Sequence, residues 1–239
     1  MSNRTIAAIA TPLGEGGISV IRISGKEAID VADKCFKAYS GKKLSELNGY
    51  EASYGTVTDK NGAVLDDAVA LVFLSPKSYT GEDVVEISVH GGRVITKQVL
   101  RRILECGAVM AEGGEFTKRA FLNGKLDLTK SESVMALISA RNEAAVKISR
   151  GAREGRISRD TEDILQKLLE TAASLAAFAD YPDEDIPGLN QKNFSALLDE
   201  CKNKCEKLLS TYDIGRAVTE GVSCSIVGKP NVGKSTLMN

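Results

Sequence analysis

A single histidine, His90, occurs in the 239 residues, so no cluster of histidines can hold a metal within this chain. Long apolar runs are missing, and none of the short ones would span a bilayer. The opening stretch MSNRTIAAIATPLGEGG lacks the apolar core of a secretion signal, because Pro12 and Gly14 break it. A surplus of either charge is also missing. Lys and Arg number 31 and Asp and Glu 32, which excludes a uniformly basic RNA-binding surface but not a local basic patch. The five cysteines, Cys35, Cys106, Cys201, Cys205 and Cys224, are odd in number and scattered. A chain large enough to have a core, with cysteines used this way, reads as a reduced, cytoplasmic protein with no membrane segment.

What is present falls into three regimes. From residue 1 to 125, short β-like runs alternate with helical runs and glycine turns, which predicts an α+β domain. TIAAIA and GISVIRIS read as strands, and KEAIDVADKCFK as a helix including Phe36. A turn at Asp59-Lys60-Asn61-Gly62 reads as a hairpin in which Asn-Gly supplies positive φ. DVVEISVH alternates, with Val85, Ile87 and Val89 on one face and Glu86, Ser88 and His90 on the other. GGRVITKQVLRRILECG switches to helical period, with Gly107 as its C-terminal cap.

From 126 to 218 the pattern is all helical. DLTKSESVMALISARNEAAVKIS reads as one helix opened by Thr129 and Glu132 at capping-box spacing. ISRDTEDILQKLLETAASLAAFA and NFSALLDECKNKCEKLLSTY complete a three-helix reading. Their apolar stripes are wide enough to want further partners. Cys201 and Cys205 lie on such a stripe and read as buried thiols. The acidic run DYPDEDI between these helices reads as a solvated loop.

From 219 to 239 the chain reads as strand, glycine-rich loop and helix start, the opening of an α/β P-loop GTPase domain. Gly228 to Ser235 fits G-x-x-x-x-G-K-[ST]. The glycines let backbone N–H groups converge on a phosphate, Lys234 adds charge near the outer phosphates, and Ser235 offers a hydroxyl to magnesium. Hydrolysis needs further parts, a base-holding element and a water-positioning group among them. The chain is therefore expected to be the first part of a longer protein and to hydrolyse GTP poorly alone.

The first domain carries another kind of candidate. Arg22 interrupts the apolar strand SVIRIS, and Glu86 interrupts VVEIS. A guanidinium and a carboxylate on polar strand faces suit a ligand with an acid group and an amide-rich ring. The plainer reading is that both face solvent on a one-sided sheet.

TIAAIATPLGEGGISVIRISG, SYTGEDVVEISVHGG, GGEFTKRAFLNGKLDLTKSESVMALISA, DYPDEDI and GKPNVGKSTLMN occur in this order. Together they strongly resemble the MnmE (TrmE) family of tRNA-modification GTPases. The resemblance implies a first domain folded like folate-dependent aminomethyltransferases, which binds 5-formyl- or 5,10-methylene-tetrahydrofolate and forms a homodimer. It implies a helical domain with a Ras-like domain inserted, whose later helices would cover the wide stripes. It further implies work with the flavoprotein MnmG to install an aminomethyl or carboxymethylaminomethyl group on C5 of the wobble uridine (U34) of tRNA. Residue by residue, Arg22, Glu86 and Lys125 match folate-contacting positions. Asn231 matches a potassium ligand, and Ser235 a magnesium ligand. Asn231, Val232, Gly233, Lys234, Ser235 and Thr236 match the nucleotide-binding loop.

Two other functions compete. One is a folate-dependent one-carbon transferase acting on a small molecule. The other is a ribosome-assembly or signalling GTPase, for which GKPNVGKSTLMN alone would serve equally well. The stretches from the first domain favour the tRNA-modifying reading.

Overall fold

The computed structural model describes residues 4–180, 191–221, 224–229, 233 and 235–236. The chain divides into two compact units, Met1–Asp127 and Leu128–Asn239.

The first unit is built on a seven-stranded sheet. Its strands are β1 (Ile6–Ile9), β2 (Gly16–Ser24), β3 (Phe36–Ala38), β4 (Ala52–Thr58), β5 (Val64–Phe73), β6 (Val84–Gly91) and β7 (Val109–Met110), in spatial order β3-β4-β5-β6-β2-β1-β7. All neighbours are antiparallel except β1 and β7. Strand alternation sends Ile21, Ile23, Val85, Ile87 and Val89 to one face, where they are buried. That face packs on α1 (Ala28–Asp33) and α2 (Arg93–Glu105), through Val31 and Ala32 of α1 and Val99, Leu100 and Ile103 of α2. On the opposite face Ile18, Tyr54 and Val69 are exposed. A third helix, α3 (Glu115–Leu122), follows β7.

Several local expectations change. Phe36 begins β3 rather than ending the first helix, which stops at Asp33. The β4–β5 turn is longer than an Asn-Gly hairpin. Only Gly62 has positive φ (86°), and Asp59 Oδ1 accepts from the N–H groups of Asn61 and Ala63, both at 2.8 Å. The carboxylate stands in for the backbone partner that a two-residue turn would supply. Gly107 does follow α2 with a positive φ of 121°.

The second unit holds α4 (Leu128–Ser139), α5 (Glu143–Arg153), α6 (Arg156–Asp180), α7 (Gln191–Ser210) and α8 (Tyr212–Glu220). The single helix expected over 127–149 is two. Asn142 is extended and its Oδ1 accepts from Ala145 N–H at 2.7 Å, capping α5 and ending the continuity. Thr129 lies inside α4, which begins at Leu128, so it is not the cap. Of the α6 stripe only Ile164 is buried, while Leu165, Leu168, Leu169 and Leu175 are exposed. Cys201 is buried as expected, but Cys205 is exposed, one turn further along α7 where no helix covers it among the described residues. Residues 181–186 of the acidic run lie outside the described residues.

Residues 224–229 form no strand and are exposed. A strand is held by its ladder, and Cys224, Ser225, Ile226 and Val227 join no ladder among the described residues. Among the described residues, no helix is long and apolar enough to cross a membrane.

Candidate functional site

Register brings the two charged strand residues together. β2 and β6 pair antiparallel with Arg22 directly opposite Glu86. Arg22 Nε donates to Glu86 Oε1 at 2.8 Å, and Nη2 lies 2.7 Å from the same oxygen. The side chains are 27% and 23% exposed, so the pair is partly desolvated. Arg22 and Glu86 are thus one paired unit rather than two separate groups facing solvent. Glu86 Oε2 and Arg22 Nη1 take no protein partner among the described residues, so the pair keeps one free acceptor and one free donor.

Two aromatic rings flank the guanidinium. Its carbon lies 5.3 Å from the Tyr79 ring centre and 5.5 Å from that of Phe116, within cation–π range. Tyr79 comes from the β5–β6 connection and Phe116 from α3. They are tied to each other's elements by a hydrogen bond of 2.9 Å between the Tyr79 and Thr117 hydroxyls. Sequence pattern singles out neither aromatic. The one available signal is composition, since aromatics make up only 5% of the chain and these two lie in SYTGED and GGEFTKR.

The same connection receives Lys125. Its Nζ donates to Pro76 O at 3.0 Å, and its stem packs beside Gly81, where an added Cβ would lie 3.3 Å from Lys125 Cγ. Gly81 also has a φ of 78°, so this close approach needs glycine twice over. Asn123 Nδ2 donates to Thr80 O at 2.7 Å. The segment after α3 is therefore strapped onto residues 76–81. Lys125 is exposed, and its ammonium is engaged by the Pro76 carbonyl rather than by Glu86.

A buried charge network holds α3 against the sheet. Arg119 Nη1 donates to both Glu82 oxygens at 3.2 and 3.0 Å. Its Nη2 reaches Glu115 Oε1 and Arg4 O, each at 2.9 Å. Burial pushes the Glu115 carboxyl up, but the Glu112 N–H and Arg119 outweigh it and leave it below the ordinary value. A cleft of about 510 Å³ opens beside this network, lined by Arg4, Met110, Glu112, Lys118 and Leu122 among others. It does not include Arg22 or Glu86.

Among the described residues His90 is paired with a single carboxylate, Asp66. Its Nδ1 lies 2.6 Å from Asp66 Oδ1, and its backbone N–H donates to Asp66 Oδ2 at 2.8 Å. The Asp66 hydrogen bond and charge raise the imidazole pKa above its ordinary value.

Of the nucleotide-loop candidates, Asn231, Val232 and Lys234 lie outside the described residues. Gly233 has a φ of 82°, and Ser235 and Thr236 are helical and exposed.

Comparison with known proteins follows the same two-unit division. The family described as GTP-binding protein TrmE N-terminus matches residues 5–125, and the MnmE helical domain matches residues 128–231. The chain is 42% identical over 237 residues to the tRNA modification GTPase MnmE of Geobacillus thermodenitrificans, covering 98% of this chain and 51% of that protein. It is 43% identical over 235 residues to the protein of the same name from Clostridioides difficile, with the same coverages. The chain thus spans about half the length of the curated relatives it matches. With both of its units matched in sequence and order, this chain belongs to the TrmE (MnmE) family.

Proposed function

We propose that this chain serves tRNA modification, as the names of its relatives state, by holding a one-carbon tetrahydrofolate at the Arg22–Glu86 pair. The observation that carries this is the pair itself, partly buried beside Tyr79 and Phe116 with one carboxylate oxygen and one guanidinium nitrogen unpartnered. A pterin edge presents ring N–H and amino donors side by side, which suits Glu86 Oε2. Arg22 Nη1 faces an acceptor on the same ligand. The ring has Tyr79 and Phe116 as apolar neighbours, and Lys125 adds positive charge nearby for the glutamate tail. The folate supplies the one-carbon unit for C5 of the wobble uridine (U34).

The wider reading has these parts. Residues 1–125 form the folate-binding and dimerising domain, 126–218 the first part of the helical domain, and 219–239 the start of the GTPase domain. The open sheet face with Ile18, Tyr54 and Val69 offers apolar surface for a homodimer. The exposed leucines of α6 receive further helices of the longer protein. Asn231 holds potassium, Ser235 holds magnesium, and the loop from Asn231 to Thr236 holds GTP. The flavoprotein MnmG and tRNA are the partners, and the cytoplasm is the compartment.

The test is calorimetric titration of 5-formyltetrahydrofolate into wild type and Glu86→Ala. Losing a charge-assisted hydrogen bond in a partly desolvated site costs about 1–3 kcal/mol. That is about tenfold to a hundredfold in affinity. Circular dichroism checks folding, which should survive because Glu86 points away from the Val85, Ile87 and Val89 face. No binding by wild type, or unchanged affinity in folded Glu86→Ala, removes the folate site from this pair. A small-molecule transferase remains the second reading if folate binds but tRNA does not.

A further inference from the structure

The chain is almost neutral, with a formal charge of −1, yet one stretch of it is strongly basic. Between Arg141 and Arg159 stand six cations, Arg141, Lys147, Arg150, Arg153, Arg156 and Arg159, against two carboxylates, Glu143 and Glu154. The last five cations recur at every third position, from Lys147 through Arg159. Residues three apart on a helix are surface neighbours, with Cβ atoms about 5–6 Å apart. The repeat therefore builds a ridge of charge along α5, and Arg156 and Arg159 open α6 directly after the short Glu154–Gly155 turn.

The structure exposes the whole ridge. All six cations are exposed, while Ala145 and Ser149 face inward. Lys147, Arg150, Arg153 and Arg156 have no ion-pair partner among the described residues, and Arg159 meets only the backbone oxygen of Glu154, at 3.2 Å. The turn brings in α4 as well. A Cβ placed on Gly155 would lie 3.2 Å from Lys130 Cε, so Lys130 reaches the same corner. Asp160 follows Arg159 directly on α6 and is exposed.

Folding explains only part of this charge. Arg150 and Arg153 occupy the last turn of α5, where the helix dipole favours cations. Arg156 and Arg159 occupy the first turn of α6, where the dipole disfavours them. Cations kept at the unfavourable end of a helix call for another gain. The choice of arginine also points outward. Four of the five ladder positions are Arg, whose planar fork pairs with two phosphate oxygens, rather than the more strongly hydrated Lys.

We propose that the ladder Lys147–Arg150–Arg153–Arg156–Arg159 is a docking edge for the phosphate backbone of folded RNA. A neighbour spacing of about 5–6 Å on a helix is of the same order as the step between successive phosphates on one strand. This rests on the reading that the chain serves tRNA modification, and it names where the RNA is held.

The test is fluorescence anisotropy of a labelled, unmodified tRNA transcript with the 239-residue chain, at 50–200 mM KCl. The variants are Arg150→Gln/Arg153→Gln/Arg156→Gln, the single Arg156→Gln, and a control Arg93→Gln/Lys97→Gln/Arg101→Gln on exposed positions of α2. Each neutralised phosphate contributes about 0.7–0.9 to the slope of log affinity against log salt. Removing three phosphate-binding arginines should lower the slope by about 2 and, near 0.1 M salt, the affinity by at least tenfold and at most a few hundredfold. The single variant should lower the slope by somewhat under 1, and the control should stay within about twofold. An unchanged triple variant, an equal loss in the control, or no binding by wild type overturns the proposal. So does equally tight binding of poly-aspartate, which would mark the ridge as a surface for an acidic protein. The folate titration probes the other unit. Its failure beside a positive RNA result would sink the folate site and leave this edge standing.

Discussion

Removing Arg119 should loosen the first unit and disturb the Arg22 site together. The guanidinium makes four hydrogen bonds, two to Glu82, one to Glu115 and one to Arg4 O, and its side chain is 9% exposed. Arg119→Ala leaves two carboxylates facing each other without their cation. Stripping one partner from a buried ionic cluster costs about 3–5 kcal/mol. Glu82 and Glu115 are 24% and 20% exposed and can recover some water, so the lower end, about 3 kcal/mol, applies. With a urea slope of about 2 kcal/mol/M, the midpoint should fall by about 1.5 M.

The chain contains no tryptophan to report this, but its lone histidine lies in the first unit, so the His90 ring resonance in a urea titration reads that unit alone. Arg119→Lys should fall between, because an ammonium keeps the charge but has three donors on one nitrogen and cannot reproduce the four bonds of the planar fork. The consequence for the site follows from connectivity. Arg119 anchors α3, which carries Phe116 and Thr117, to Glu82 of the segment that carries Tyr79. Folate affinity should therefore fall in Arg119→Ala although Arg119 touches neither Arg22 nor Glu86. A midpoint shift below about 0.5 M would refute the view that this network is a main support of the unit.

Other outcomes follow from single contacts. The His90 titration midpoint by proton NMR should lie above the ordinary histidine value and fall in Asp66→Asn; a midpoint indifferent to Asp66 would refute the pairing. A raised folded-state pKa makes this pair stabilising below about pH 6.5, and that contribution should vanish as pH rises through the folded value. Glu115 has the opposite sign. Its lowered carboxyl stabilises above about pH 4.3 and loses that contribution as pH falls through the folded value, and Arg119→Ala should flatten this acid dependence. Cys205 and Cys224 should react with a thiol reagent in native protein, whereas Cys35 and Cys201 should react only on unfolding. Gly55→Ala should strongly destabilise β4, because its Cβ would lie 2.1 Å from Lys37 O of β3, and a soluble, equally stable variant would contradict the strand packing.

Sequence patterning carries the first unit further than the second. Strict alternation in DVVEISVH places Val85, Ile87 and Val89 inward and Glu86 and His90 outward, as the sheet has them. Periodicity is a local property, and it is enough there. It cannot place Arg22 opposite Glu86, because that register joins residues 64 apart. It cannot find Tyr79 and Phe116, which meet Arg22 from two other elements. In the second unit a run of good helix formers hides the break at Asn142, whose side chain acts on a single N–H three residues on. The apolar stripes of α6 and α7 are legible as stripes, but their burial depends on neighbours, and most of the α6 leucines are exposed.

The position of the charged pair is itself an argument for a ligand. Helices α1 and α2 cover one face of the sheet, and on the other Tyr79 of the β5–β6 connection and Phe116 of α3 approach Arg22. Arg22 and Glu86 are partly withdrawn from water yet reachable. A cross-strand ion pair of this exposure contributes little to stability, about 0.2–1 kcal/mol. Two apolar residues at the same register would hold the sheet at least as well and need no desolvation of charge. The pair also uses only one carboxylate oxygen on itself, which a purely structural bridge would not require. A partly dehydrated acceptor and donor, fixed by backbone register and bounded by two rings, are more useful to a flat, donor-rich ligand than to the sheet.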